Sequence, residues 1–242
     1  MRPAINEEPA RYRPHGSFPR SVETRRRLIE TAIAVFGELG FEGASTRLLA
    51  ERAGVNLPAI QYHFGSKEGL YRAAVDHIAQ YIEERMAPVG ARVRKTLARK
   101  RISRRQLSSL LRELLDGFVL LVFGSGERGR RDRVESHQLF IARAEVEQSE
   151  ALESLYATMR RCVSEPCSAL VGRLIGRSAK NEQTRLRTIA IIGQATVFCC
   201  KPARHTLGWD AFSGAHVRAV QKIVNDHTRA IFDSRAKPKA KR

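Results

Sequence analysis

The chain has 242 residues, 43% of them apolar, four cysteines and a formal net charge of +18. That apolar share closes a core in one large domain or two modest ones, and the absence of a long apolar span excludes a membrane-spanning chain. The positive balance calls for an anionic partner, with nucleic acid ahead of a membrane surface. The charge is unevenly spread: residues 1–21 carry +2, residues 22–87 carry −1, residues 88–234 carry +12 and residues 235–242 carry +5.

In chain order, residues 1–20 mix Pro, Arg, Glu and Gly without period and predict a disordered basic tail. They hold no continuous apolar stretch of the kind a signal peptide needs, so a cytoplasmic protein is expected. Leu28, Ile29, Ala32, Ile33, Phe36 and Leu39 share one helical face, which predicts a first helix from about Glu23 to Leu39 ended by Gly40. Ser45 is placed to cap a second short helix with Leu49 and Ala53 inward, and Gly54 supplies the turn after it. Asn56 is placed to cap a third, with Pro58 in its first turn and Ile60 and Phe64 toward the core. Ser66 is placed to cap a fourth, with Leu70, Ala74, Ile78 and Ile82 buried, running until Pro88 intervenes.

Further helices are predicted over 103–123, 134–146 and 150–175, the last kinked or divided by Pro166, with a loop at 124–133. Two more, about 182–200 and 214–233, precede the basic tail SRAKPKAKR at 234–242. Helical period without strand alternation makes the fold all-α. The four cysteines, Cys162, Cys167, Cys199 and Cys200, have no zinc-type spacing, so no metal or cofactor is expected. They read as buried reduced thiols, with a redox sensor at Cys162, beside Arg160 and Arg161, as the sharper alternative.

Two helices joined by a tight Gly-containing turn are the shape that crosses a DNA backbone with one helix and lodges the next in the major groove. Leu57 to His63 has the small, polar and aromatic outer face that such docking needs, while Leu49, Ala53, Val55, Ile60 and Phe64 are packing residues. The strings FGELGFEGAST and LLAERAGVNLPAIQYHFGSKEGLY resemble the N-terminal DNA-binding region of the TetR family of bacterial transcriptional regulators, over about residues 24–72.

The resemblance implies a phosphate contact at Thr46 and a base or backbone contact at Arg47. It places Leu57, Pro58, Ala59, Gln61, Tyr62 and His63 on the recognition helix, and Lys67 at a phosphate beside the next helix. Gln61 departs from the commoner aromatic of the family and can pair with adenine N6 and N7. Each residue has a plainer role open to it: Tyr62 in packing between helices, Pro58 in starting a helix, His63 in capping.

For the C-terminal region the resemblance implies a small-molecule effector pocket and a homodimer interface. The domains are then residues 21–87, a helix-turn-helix DNA-binding domain with a linking fourth helix, and residues 88–233, an effector-binding and dimerisation domain. Residues 182–233 offer the interface: Ile189, Ala190, Gly193, Ala195, Thr196 and Val197 permit close helix approach. Val217, Val220, Ile223, Val224, Ile231 and Phe232 form an apolar stripe. The segment IGQATVFCCKPARHTLGW, 192–209, is similar to CecR-like regulators within that family.

A pocket is expected among the helices of 103–123, 134–146 and 150–175, where Phe118, Phe123, Phe140, Leu155, Met159 and Leu170 supply apolar area or simply fill the core. The run RVRKTLARKRISRR, 92–105, reads as a solvated face, an acidic-ligand site or a source of sequence-blind DNA affinity. The expected function is a dimeric, sequence-specific regulator of double-stranded DNA, a repressor released from a near-palindromic operator by a small molecule. A nonspecific architectural DNA binder is the alternative. An enzyme is opposed by the missing phosphate loop, nucleophile elbow, HExxH pair and triad signatures.

Overall fold

A computed structural model describes residues 17–125, 128–209 and 211–233 and shows helices with no strand among them. The elements are α1 (Ser17–Gly43), α2 (Thr46–Arg52), α3 (Pro58–Phe64), α4 (Lys67–Leu97), α5 (Arg104–Phe123) and α6 (Arg128–Val146). They continue with α7 (Leu152–Met159), α8 (Glu165–Ile175), α9 (Glu182–Thr196), α10 (Lys201–Leu207) and α11 (Gly214–Asp233). The tails expected at 1–20 and 234–242 lie outside the described residues, except that 17–20 are the first turn of α1.

Three of the helix starts are set by serine caps. Ser45 Oγ accepts from the Leu48 amide and Ser66 Oγ from the Gly69 amide, each at 3.1 Å. At α5, Ser103 and Gln106 form a reciprocal capping box, with the Ser103 amide donating to Gln106 Oε1 at 2.9 Å. Asn56 does not cap α3 as expected. Leu57 is the cap residue, already in helical backbone conformation, and only main-chain bonds hold the first turn: Ala59 N–H to the Asn56 carbonyl, Ile60 N–H to that of Leu57.

Helix α4 does not stop at Pro88 but runs on to Leu97. Proline removes one ladder bond at a cost of about 3 kcal/mol. Met86, Val89 and Val93, buried on either side of it, offset this, because α4 packs on α5, α7 and α8. Pro166 acts where the sequence placed a break: a π-helical turn, Arg160–Ser164, separates α7 from α8 and shifts the bonding register ahead of the missing N–H. The loop expected at 124–133 is shorter, since α6 begins at Arg128.

The core runs without interruption from α1 to α11. Phe36 of α1, Tyr71 of α4 and Phe140 of α6 meet with ring centroids 5.0 Å (Phe36–Tyr71) and 5.1 Å (Tyr71–Phe140) apart. The N-terminal helices are thereby joined to α6 by aromatic edges and faces.

The expected dimer stripe of α11 is mostly the subunit's own core: Val217, Val220, Val224 and Phe232 are buried, with α11 packed on α5 and α9. Of the residues expected to supply apolar area to an effector pocket among α5, α6 and α7–α8, Phe118, Phe123, Phe140, Leu155 and Leu170 are buried and Met159 is half-buried. Period alone marks an apolar face and not what covers it. Cys162 is buried in the π turn, whereas Cys200 is the exposed thiol. Burial pushes the Cys167 thiol up to about 12. Burial does the same to Cys199, with its neighbour Cys200 adding to the effect.

Candidate nucleic-acid interface

Helices α2 and α3 pack on each other and on α1 and α4 through Leu49, Ala53 and Ile60, all buried. The turn between them passes through Gly54, whose carbonyl accepts from Arg27 Nη2 of α1 at 3.4 Å. Arg52 of α2 pairs with Glu38 of α1 at 2.6 Å. With Ile60 anchored and Ala59 and Phe64 packed against the core beside it, the opposite side of α3 faces outward. Gln61 and Pro58 are exposed, Leu57 is 50% and Tyr62 81% exposed, and Ala59 and His63 are half-buried.

The Tyr62 ring meets His63, its neighbour on the same helix, edge-on at 4.9 Å and is otherwise largely in solvent. An apolar Leu and an aromatic left in water at the start and on the outer side of so short a helix gain nothing for the fold. Arg47 is exposed on α2 and Thr46 half-buried at its start.

Lys67 is drawn inward more than expected. Its ammonium donates to the Phe41 carbonyl at 3.0 Å and lies 4.2 Å from the Phe41 ring centre. On the other side, the Phe41 amide donates to both carboxylate oxygens of Glu147, just past α6, at 3.3 Å each. Arg143 of α6 donates to the Glu38 carbonyl at 3.3 Å. The end of α1 is thus held by the start of α4 and by the end of α6 together.

Sequence reasoning did not single out Arg25 and Arg72. The fold brings them, from α1 and α4, to a cleft they share with His63. Arg25 also lies over the Phe64 ring at 5.3 Å. Arg25 opens the run Arg25, Arg26, Arg27 and Arg72 stands alone, and nothing local in the sequence ties the two together.

Behind this surface α6 crosses α1 and α4, and there His137 is only 6% exposed, against Tyr81 at 5.0 Å and near His77 at 6.3 Å. Burial first, then His77, Arg133 and Arg85, push its imidazole down to about 4 from an ordinary 6.5. The neutral form is the folded one, so the unfolded chain takes up its proton first as pH falls. Stability is expected to be complete above pH 6.5 and to decline toward pH 4, by roughly 3 kcal/mol for this group. Thermal unfolding of native and His137→Leu chains between pH 7 and 4.5 checks it. The variant should lose stability less steeply, and parallel slopes would exclude His137 as the source.

A buried anchor beneath a polar and aromatic outer face on the second helix of a helix-turn-helix defines a DNA-binding transcriptional regulator. Residues 28–74 match the model of bacterial regulatory proteins of the tetR family, and residues 107–234 match that of the C-terminal domain of the HTH-type transcriptional dual regulator CecR. The chain belongs to the TetR family, with a CecR-type C-terminal domain, and that family consists of transcriptional regulators and not enzymes.

CecR of Shigella flexneri is 27% identical over 214 residues, which cover 87% of this chain and 92% of that protein. RaaS of Mycobacterium tuberculosis, an HTH-type transcriptional regulatory protein, is 46% identical over 61 residues, 25% of this chain and 28% of RaaS. Among solved structures, a TetR-like regulator from Rhodococcus sp. RHA1 superposes with a TM-score of 0.57 at 19% identity, covering 86% of this chain and 96% of that one. A transcriptional regulator from Aquifex aeolicus VF5 gives 0.52 at 16%, covering 86% and 99%. At such identities the superpositions speak for the fold. No helix among the described residues is long and apolar enough to cross a membrane.

Proposed function

We propose that two copies of this chain bind a near-palindromic operator as a repressor, each α3 in a major groove, and that a small-molecule effector releases them. The observation that carries this reading is the outward face of α3, with Gln61 and Tyr62 in solvent above the buried Ile60. Gln61 reads adenine. Leu57, Pro58, Ala59, Tyr62 and His63 supply apolar and polar contact beside it. Thr46, Arg47 and Lys67 meet phosphates, joined by Arg25 and Arg72.

Gln61→Ala is expected to relax preference at one base pair per half-site, by about 1–3 kcal/mol. Arg47→Ala is expected to weaken all duplexes alike and to lower the salt slope by about 1. Binding of a panel of single-base operator variants separates the two. If Gln61→Ala lowers every affinity equally, the readout role fails.

Support for the dimer comes from α9. Leu186 and Ile189 (68% exposed) line its outer side with Ala190 and Gly193, Val197 is exposed just past its end, and Ile223 of α11 is also exposed. A stripe of this kind is covered most simply by its twin across a twofold axis. Ile189→Asp is expected to give a folded monomer in sedimentation equilibrium, with operator affinity reduced by at least about a hundredfold through loss of the second half-site. A dimer of native affinity would place the interface elsewhere.

The effector site is proposed in the cavity of about 460 Å³ between α4 on one side and the π turn and α8 on the other, lined by Ala87, Val93, Leu97 and Pro166 with Arg94 and Glu83 at its polar edge. The same α4 begins at Lys67. A ligand that favours another setting of α4 against α6 would act on the Lys67–Phe41–Glu147 contacts by its differential affinity, about 1–3 kcal/mol for coupled sites.

A further inference from the structure

The opening turns of α5 and the closing turns of α11 enclose a groove of about 360 Å³ that no part of the DNA-reading or effector scheme uses. On α5, positions 105, 108, 109 and 112 recur at helical spacing along one face, and on α11 positions 225, 228, 229 and 232 do the same. Two matched faces are therefore turned toward one space, floored by the buried Leu111 and Phe232.

Its charged lining is of one sign. Arg105, Arg112 and Arg229 border it, and none has a hydrogen-bond or ion-pair partner among the described residues. Of the nearby acids, Glu113 pairs with Arg92, Asp226 pairs with Lys222 at 2.9 Å while also feeling the Arg229 charge, and Asp116 accepts from Asn225. Three guanidinium groups around one concavity, with Ser108 and Ser109 hydroxyls between them, match the oxygens of a phosphate.

Two polar groups deeper in the groove lack partners. Thr228 is 94% buried by its 6% exposure, and its Oγ1 has no hydrogen-bond partner. Asn225 Nδ2 donates to Asp116 Oδ1 at 2.7 Å, which fixes the amide and leaves its own buried oxygen without a donor. Such groups are costly unless something fills them. An anion alone satisfies Thr228 but not the Asn225 oxygen, which needs an O–H or N–H.

We propose that this groove is a second small-molecule site, selective for a phosphomonoester that also carries hydroxyl groups: the phosphate lies on Arg105, Arg112 and Arg229, and a hydroxyl donates to Asn225 Oδ1. Ribose 5-phosphate is a suitable probe. Titrated calorimetrically into the full chain at low salt, it should bind once per subunit, and inorganic phosphate should bind about tenfold more weakly for want of the hydroxyl. Arg112→Gln combined with Arg229→Gln should weaken the ester at least tenfold, while Arg99→Gln combined with Lys100→Gln, which removes the same two charges from an exposed turn, should not. Thr228→Val keeps the side-chain shape and should weaken binding severalfold, so it decides the matter even if the double variant does not fold. Absence of binding to the native chain, unaltered affinity in the double variant or in Thr228→Val, or citrate or inorganic phosphate binding as tightly as the ester, would each overturn the assignment.

Discussion

Gly69→Ala is expected to displace the recognition helix and to cost both stability and DNA affinity. A β-carbon there would lie 2.0 Å from the Phe64 carbonyl oxygen and 3.1 Å from its carbon, both backbone atoms at the end of α3. No flexible side chain can yield, so either the end of α3 or the first turn of α4 must shift. The Ser66 cap on the Gly69 amide, at 3.1 Å, resists movement of the second. Overpacking of this kind costs about 1–3 kcal/mol. Base-edge hydrogen bonds weaken steeply with misalignment, so an affinity loss of at least about tenfold is expected even at temperatures where the variant is folded. Thermal unfolding and fluorescence anisotropy on a labelled operator check the two effects. Native values in both would show that α3 is not held by this approach.

Gly40→Ala is expected to lower the melting temperature by on the order of 10 °C, from the sum of two effects. Gly40 has φ 75° and ψ 176°, a region essentially closed to residues with a side chain, at a cost of about 1–3 kcal/mol. Its new methyl would also fall 2.1 Å from Glu147 Oε1. The carboxylate would have to leave, and with it both contacts to the Phe41 amide. Glu147→Gln keeps the shape and removes only the charge from this bond, so it should lose much less. Hydrogen exchange at the end of α1 distinguishes them: rapid in Gly40→Ala, near native in Glu147→Gln. An alanine variant as stable as the native chain would mean that the backbone relaxes at this break without cost.

Local signals were the most legible. Ser45 and Ser66 cap their helices, Gly54 turns between α2 and α3, and Ile60 faces in while Gln61 and Tyr62 face out, because each depends on neighbours within a few residues. What was illegible depended on distant partners. Pro88 reads as a stop until α5, α7 and α8 cover both sides of it. The α11 stripe reads as an interface until α5 and α9 occupy it.

The basic run at 92–105 likewise resolves into separate roles. Arg92 pairs with Glu113, and Arg104 donates to the Leu174 carbonyl at 3.0 Å and the Phe232 carbonyl at 2.6 Å, at the ends of α8 and α11. Arg105 borders the α5–α11 groove. Lys67 shows the same limit at the DNA side, since its hold on Phe41 spans 26 residues of sequence.

The central claim is that twin α3 helices read sequence on duplex DNA. Selecting bound fragments from genomic DNA with the intact chain, and footprinting the strongest, tests it most directly. The prediction is a shared near-palindrome whose half-sites lie one helical turn apart, with Gln61→Ala altering preference at one base pair in each. Recovery of fragments without a common sequence, bound no more tightly than random duplex, would contradict it and leave a nonspecific DNA binder.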